Sequence, residues 1–319
     1  MRCIGFLKRR TLRRGPNSIA NWSPLACLGA TLLVCHATPL FADNRADFSS
    51  ETRLVLVPVT VTDRNGRVVS GLQRHHFQVL DNSKPQDIVL AASEPLPVSL
   101  GVVFDVSGSM EDKLPAALAA VRAVLNRIGP EDQTFLMTFG NRVVLQSEGT
   151  ADIEMRFHRN LLPWPKGGTA LIDAIHAALQ YNRTARQIRR ALLVVTDGGD
   201  NASRMRQSEL MSYAREADTQ IYSISIHGEL VGKEEVRGYH LLEDLSKVTG
   251  GLHLAARSKQ ELAGAAKTVT DAMKHAYMLG YQPDSQTSSP GKWHKIAVKL
   301  LVDSPKSYRV NARSGYLQP

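Results

Sequence analysis

The sequence predicts an α/β fold: a doubly wound, mostly parallel sheet inserted in a small β-sandwich built from the N- and C-terminal flanks. Three observations predict it. The apolar runs from Val98 to Asp105 and from Ala191 to Val195 are nearly unbroken, as in strands buried on both faces. Between residues 98 and 276 such runs alternate with segments whose apolar residues recur at helical spacing. Residues 51–93 and 277–319 instead alternate apolar with polar side chains, the period of half-buried strands.

In chain order, the sequence opens with Arg2, Lys8, Arg9, Arg10, Arg13 and Arg14, all before its first acid, Asp43. An apolar stretch with Leu25 to Val34 at its core ends in Leu40-Phe41-Ala42. This basic, apolar, small-residue order is that of a secretory signal over residues 1–42, with cleavage expected after Ala42 and Ala37 as the alternative. The apolar stretch, interrupted by His36 and Pro39, is too short to predict a membrane span. Six of the 39 basic residues and none of the 30 acidic ones precede residue 43, so the formal charge falls from +9 to +3 without them. Basicity of that origin is no argument for a nucleic-acid partner. The 3 cysteines, Cys3, Cys27 and Cys35, lie in the same segment, so the exported part is expected to have neither a disulfide nor a cysteine metal site.

Residues 43–95 form the first part of the expected sandwich. Valines 55, 57, 59 and 61 keep a strand period, and Asp63-Arg64-Asn65-Gly66 carries a hairpin signal. Val68-Val69, Phe77 to Leu80 and Ile88 to Leu90 supply further strands around an Asp81-Asn82 turn, and Glu94-Pro95-Leu96-Pro97 is a stiff connector. Residues 96–276 are the expected α/β domain. Pro115 opens a helix with Leu118, Val121, Leu125 and Ile128 on one face, closed by Gly129-Pro130. Thr134 to Phe139 and Val143 to Leu145 make a strand pair, and Leu171, Ile172, Ile175 and Leu179 mark the next helix. After the strand at Ala191 come a helix at Leu210 to Ala217, a strand at Ile221 to Ile226, a helix ending at Gly250-Gly251, and a last helix over Leu262 to Ala276. Residues 277–319 return to strands at Tyr277 to Tyr281, Lys295 to Val302 and Tyr308 to Asn311, expected to complete the sandwich.

Chemistry-bearing residues cluster at the ends of the two buried runs, where open α/β sheets bind ligands. Asp105, Ser107 and Ser109 follow the first, and Asp197 follows the second in Thr196-Asp197-Gly198. Between them, Lys166-Gly167-Gly168-Thr169 places a threonine at the start of a helix on a loop freed by two glycines. One carboxylate and two hydroxyls around Gly108 offer oxygen only, which selects hard cations over zinc or copper.

A D-x-S-x-S at a strand end, then G-G-T before a helix, then T-D-G at a second strand end resembles the von Willebrand factor type A domain over roughly residues 97–275. The resemblance implies a metal-ion-dependent adhesion site, with Asp105, Ser107, Ser109, Thr169 and Asp197 as the metal set. It implies a divalent cation, Mg²⁺ first and Mn²⁺ or Ca²⁺ as alternatives, whose shell a protein partner completes with an Asp or Glu carboxylate. The flanks, VPVTVTDRNGRVVSGLQRHHFQVLDN and YMLGYQP with KWHKIAVKL, resemble a bacterial exported subfamily best known from acidobacterial genomes as "VWFA-related". A non-enzymatic binding module, periplasmic or secreted, is therefore expected. No His or Glu in these motifs offers a general base, and Ser109 lacks the setting of a nucleophile elbow.

Two other classes compete. One is a structural envelope component whose metal serves stability. The other is a metal-dependent phosphatase of the haloacid-dehalogenase type, which would want a second Asp where this chain has Ser107. Asp200 and Asn201 read as groups behind the site or facing a partner, or else as a cap for the next helix. Trp164 reads either as a rim residue or as packing under its own loop. His75-His76, if in a strand, would face opposite ways, and the remaining histidines show no ligand spacing. Arg183, Arg186, Arg189 and Arg190 read as a solvated helix end, or as a docking patch for an acidic partner.

Overall fold

The computed structural model describes residues 54–94, 96–159, 161–227, 232–283 and 291–318; the expected signal segment lies outside the described residues. The first flank contributes β1 (Val55–Asp63), β2 (Phe77–Asp81), β3 (Lys84–Gln86) and β4 (Ile88–Ala92). The central region runs β5 (Val98–Asp105), α1 (Leu114–Leu125), β6 (Gln133–Phe139), β7 (Val143–Glu148), α2 (Thr150–His158), α3 (Leu171–Asn182), β8 (Arg189–Thr196), α4 (Gln207–Glu216), β9 (Gln220–Ile226), α5 (Lys233–Thr249), β10 (His253–Ala256) and α6 (Lys259–Lys274). The second flank adds β11 (Tyr277–Tyr281), β12 (Trp293–Leu300), β13 (Tyr308–Ala312) and β14 (Gly315–Leu317).

The central sheet has the order β10-β9-β8-β5-β6-β7, parallel except for the edge strand β7. All eight positions of β5 are buried, because helices cover both of its faces. One face packs Val102, Phe104, Leu193 and Ile224 against α1 and α6, including Val121 and Val269. The other packs Val103, Leu192 and Val194 against Leu171, Ile175 and Leu179 of α3 and Leu242 of α5. Removing such side chains from water is worth about 1.5–3 kcal/mol each, which is why these runs specify the centre of the fold. The chain leaves β5 toward β6 on one side, while β8 lies on the other, so a crevice opens between the carboxyl ends of β5 and β8.

The flanks pair with each other across more than two hundred residues. β1 lies between β11 and β13, both antiparallel, in the sheet β13-β1-β11-β4. β12 pairs with β2 and β14 in the sheet β14-β12-β2-β3. Val57, Val59 and Val61 of β1 join Phe77, Val79, Leu279, Ile296 and Tyr316 in one core. A buried carboxylate crosses that core. Asp81 Oδ1 lies 2.9 Å from His294 Nδ1, while Tyr281 and Tyr316 donate to Oδ2 at 2.8 and 3.2 Å.

Several details differ from the sequence reading. Residues 74–76 form a 3₁₀ turn rather than a strand, so the rings of His75 and His76 lie 4.0 Å apart instead of on opposite faces. His76 is engaged locally, its Nδ1 accepting from the backbone of Gln73. Val68 makes only an isolated bridge to Thr62. The elements α2, β3, β10 and β14 were not expected. Among the described residues no helix is long and apolar enough to cross a membrane.

Candidate metal centre

β5 ends in Asp105 and β8 ends in Thr196, with Asp197 the next residue, so the parallel register of the two strands delivers the motifs to one edge of the sheet. Asp105 is fully buried. Its Oδ1 accepts from the backbone amide of Ser107 at 2.8 Å, and its Oδ2 accepts from Thr196 Oγ1 at 2.5 Å. Thr196 Oγ1 in turn accepts from the amide of Gly198 at 3.0 Å. Ser107 and Ser109 follow on a tight turn with their hydroxyls 3.2 Å apart.

The glycine loop is locked onto this turn. Gly108 donates to the carbonyl of Gly167 at 3.1 Å, and Lys166 donates to the carbonyl of Val106 at 3.1 Å. Gly167 needs its positive φ of 78°, and a Cβ there would lie 2.4 Å from Asn141 Nδ2. Asn141 holds the next residue, accepting from Gly168 N at 2.6 Å. Thr169 is pinned from the third segment: its amide donates to Asn201 Oδ1 at 2.8 Å, and its carbonyl accepts from the amides of Asn201 and Ala202. The five residues Asp105, Ser107, Ser109, Thr169 and Asp197 thus belong to three interlocked loops.

Asp200 and Asn201 stand behind the site, and neither caps the helix that follows them. Asp200 Oδ1 accepts from Ile172 N at 3.2 Å and from Ser203 Oγ at 2.5 Å, so it closes the first turn of the earlier helix α3. Trp164 does not pack under its loop; it is 71% exposed, two residues before Lys166. Arg189 departs from the solvated reading, being only 6% exposed.

Three functional neighbours were not singled out from the sequence. In sequence Thr196 is only one letter of T-D-G, although its hydroxyl orients Asp105. Lys113, half-buried, donates to Asp197 Oδ2 at 2.8 Å; its eight-residue separation from Asp105 carries no signal by itself. Gly238 of α5 lets the loop approach, since a Cβ there would lie 1.2 Å from the carbonyl oxygen of Gly198.

The electrostatics fit a cation. Burial raises the Asp105 carboxyl to about 6, and the negative charge of Asp197 adds to the rise, while hydrogen bonds from Ser107 and Thr196 oppose it. A divalent ion beside the two carboxylates would offset both the burial and the repulsion. Every donor in the set is oxygen, the chemistry of Mg²⁺, Mn²⁺ and Ca²⁺. Among the described residues no cluster of three or more His, Cys, Asp or Glu forms an alternative metal site. His227 and His253 do approach each other, bridged by Ser225 Oγ at 3.0 and 3.5 Å, but without a carboxylate ligand in the group.

Comparison with known proteins bears on the same segment. Residues 100–199 match the family model described as the von Willebrand factor type A domain. No curated protein matches the chain. Among solved structures, it is similar to a von Willebrand factor type A protein from Catenulispora acidiphila, with 13% identity, 85% of this chain and 65% of that one covered, and a TM-score of 0.49. It is also similar to an aerotolerance-related membrane protein from Bacteroides fragilis, with 17% identity, 55% and 98% covered, and a TM-score of 0.44. A third is proximal thread matrix protein 1 from the mussel byssus with a zinc-occupied MIDAS motif, with 18% identity, 60% and 49% covered, and a TM-score of 0.49.

Proposed function

We propose that this chain, which carries a von Willebrand factor type A domain, is an exported, non-enzymatic binding module that captures a protein partner through a divalent cation at Asp105, Ser107, Ser109, Thr169 and Asp197. One observation supports the reading most: a fully buried carboxylate, with only hydroxyl and amide donors on its oxygens, stands beside a second carboxylate at the switch point of a parallel sheet. With two carboxylates and three neutral hydroxyls, the protein leaves a bound divalent ion short of ligands, and a partner Asp or Glu supplies the missing oxygen. Mg²⁺ is the favoured ion. Asp105 orients from the sheet, Thr196 and Ser107 hold it in place, and Asn201 sets the backbone of Thr169. Trp164, exposed on the loop that leads to Thr169, is placed to meet the partner's surface.

A phosphatase is disfavoured, because Ser107 occupies the position of the second acid. The sandwich, which joins both ends of the α/β domain, would hold the site at a fixed distance from whatever anchors the protein. The basic, apolar, small-residue order of residues 1–42 supports export to the periplasm or beyond.

The test is calorimetric titration of Mg²⁺ and Mn²⁺ into wild type, Asp105→Ala and Thr169→Ala, followed by capture of envelope proteins with and without chelator. Saturable one-site binding lost in Asp105→Ala and weakened about tenfold or more in Thr169→Ala is expected. Folded wild type that binds neither ion would overturn the site assignment. Capture that is unchanged by chelator and by Asp105→Ala would leave the metal a purely structural role.

A further inference from the structure

Residues 161–168 connect α2 to α3 and lean on the turn that follows β6. Ala170 donates to the carbonyl of Gly140 at 2.8 Å, and Gly168 donates to Asn141 Oδ1 at 2.6 Å. The chain is held on both sides of its most exposed ring. Leu162 packs against the core shared by α1 and α6, and Pro165 is buried. Pro163 and Trp164 between them stand out of the fold, and Trp164 is 71% exposed. Leu161, just before, is 52% exposed. Large apolar groups grouped on a surface in this way mark a place for another molecule. Prolines on either side of Trp164 restrict its backbone, so little conformational freedom remains to be lost on binding.

The same strip is cationic. Residues 155–172 contain Arg156, Arg159 and Lys166 and neither Asp nor Glu. Arg156 is paired with Asp152 at 3.4 Å, whereas Arg159 and Lys166 are exposed. Arg142, also exposed, lies two residues after Gly140 on the turn that supports the loop. The exposed acids around the metal set belong to other segments. Glu111 and Asp112 follow on the turn into α1, and Glu234 stands at the start of α5, where Asn201 Nδ2 reaches it at 3.4 Å. The strip begins at the metal set itself, because the amide of Lys166 donates to the carbonyl of Val106, the residue between Asp105 and Ser107. An indole and two free cations therefore continue the site on its β6 side.

We propose, resting on the cation site at Asp105, that this strip selects the partner: a peptide segment whose metal-binding Asp or Glu is accompanied by a second acid and a large apolar side chain. Arg142 and Lys166 draw the second acid, and Trp164 covers the apolar group. Trp164 lies five residues before Thr169, a span of at most about 18 Å. In an extended partner the apolar residue therefore falls within about five residues of the metal-binding acid. The metal supplies an attachment open to any carboxylate, and the strip discriminates among carboxylates by what surrounds them.

The test is a set of synthetic peptides in a glycine–serine background, titrated by fluorescence anisotropy with Mg²⁺-loaded full-length protein. One carries a single Glu, one adds Asp close to it on both sides, one adds Phe on both sides, and one carries all of these. The full peptide is expected to bind at least tenfold tighter than the single-Glu peptide, and only with Mg²⁺. Trp164→Ala should remove the gain from Phe, and Arg142→Gln with Lys166→Gln the gain from Asp. Calorimetric uptake of Mg²⁺ should be unchanged in these variants, each checked for native circular dichroism. Trp293→Ala, which removes a partly exposed tryptophan of the sandwich, should alter neither gain. Equal binding of all the peptides, or gains that survive in the variants, would overturn the proposal. So would a full peptide that fails to bind wild type able to take up Mg²⁺; wild type that takes up no Mg²⁺ would overturn the cation site beneath it. Dimers seen by sedimentation and dissolved by Trp164→Ala would give the strip to a second copy of the chain, and the proposal would fall.

Discussion

Asp81 in the sandwich and Asp105 in the α/β sheet are both buried, and their neighbours differ in kind. Asp81 is surrounded by ring donors from three other strands, His294, Tyr281 and Tyr316, each on a different part of the second flank. Its acceptor sites are filled by the protein's own core. Asp105 takes one amide from two residues away and one hydroxyl from β8, with a second carboxylate nearby and no cationic side chain bonded to it. The sandwich closes around its charge, while the sheet edge presents its charge to something still to be bound. Burial alone therefore does not mark a site; the identity of the donors does.

The contrast can be broken or sharpened in four ways. The largest effect is expected from Asp81→Ala, which strands one imidazole and two phenols in an apolar core. It should cost about 3–5 kcal/mol of stability, read by urea denaturation, and leave metal titration of the folded protein unchanged. A variant as stable as wild type would mean that Asp81 does not organise the sandwich.

Acid should act on the other half. His253, half-buried against Ser223 and Tyr239, is lowered to about 4, chiefly by desolvation. An unfolded histidine takes its proton near its ordinary value of 6.5, so the unfolded state binds more protons between that point and about 4. Stability is full above 6.5 and falls as the pH drops through this window, by about 3 kcal/mol. His253→Gln should flatten that part of the stability profile; an unchanged slope would assign it to other groups.

A smaller change is expected from Asp105→Asn without metal. The wild-type carboxyl is raised from 3.8 to about 6, so the folded state holds its proton more tightly and stability declines as the pH rises across that interval. Above it, the neutral amide should be more stable than wild type by about 3 kcal/mol, measured by melting in chelator at pH 8. Below 3.8 the difference should vanish. Added Mg²⁺ should reverse the ranking, because only the carboxylate binds it. An amide variant that is less stable than wild type under all conditions would mean that Asp105 serves the fold itself.

The smallest effect concerns Lys113. Its ammonium already pairs with Asp197, and a divalent ion drawn to that carboxylate must share it or displace the lysine. Lys113→Met is expected to tighten Mg²⁺ binding by roughly fivefold, about 1 kcal/mol, in the same titration. Weaker binding in the variant would instead make the lysine a support for the loop.

The sequence made the fold legible where one pattern governed a whole element. The runs at β5 and β8 are buried on both faces, and no other element type suits them. The flanks also announced their strands by alternation, although the partner of β1 lies more than two hundred residues away. The missed elements had no such pattern. α2 spends its nine residues on a mixed surface with Ile153 and Phe157 as its buried anchors, and β10, β14 and β3 are three or four residues long. In the site, motif residues were readable because their spacing is local. Lys113, Gly238 and the burial of Arg189 were not, since each acquires its meaning from a neighbour far along the chain. Asp81 shows the same limit: in sequence it sits before a turn, and only the returning second flank makes it a buried hub.

The close approach of Gly238 to Gly198 has a mechanical side. α5 has 17 residues and, at 1.5 Å per residue, is a rod of about 25 Å. Near its first turns it bears on the loop that carries Asp197, with no side chain between the two backbones to act as a cushion. At its far end Val248 accepts from Ser314, and Thr249 bridges to Arg313. The same rod therefore touches the loop of Asp197 at one tip and the returning second flank at the other. A shift of the Gly198 loop has to bend this rod or travel along it to the sandwich.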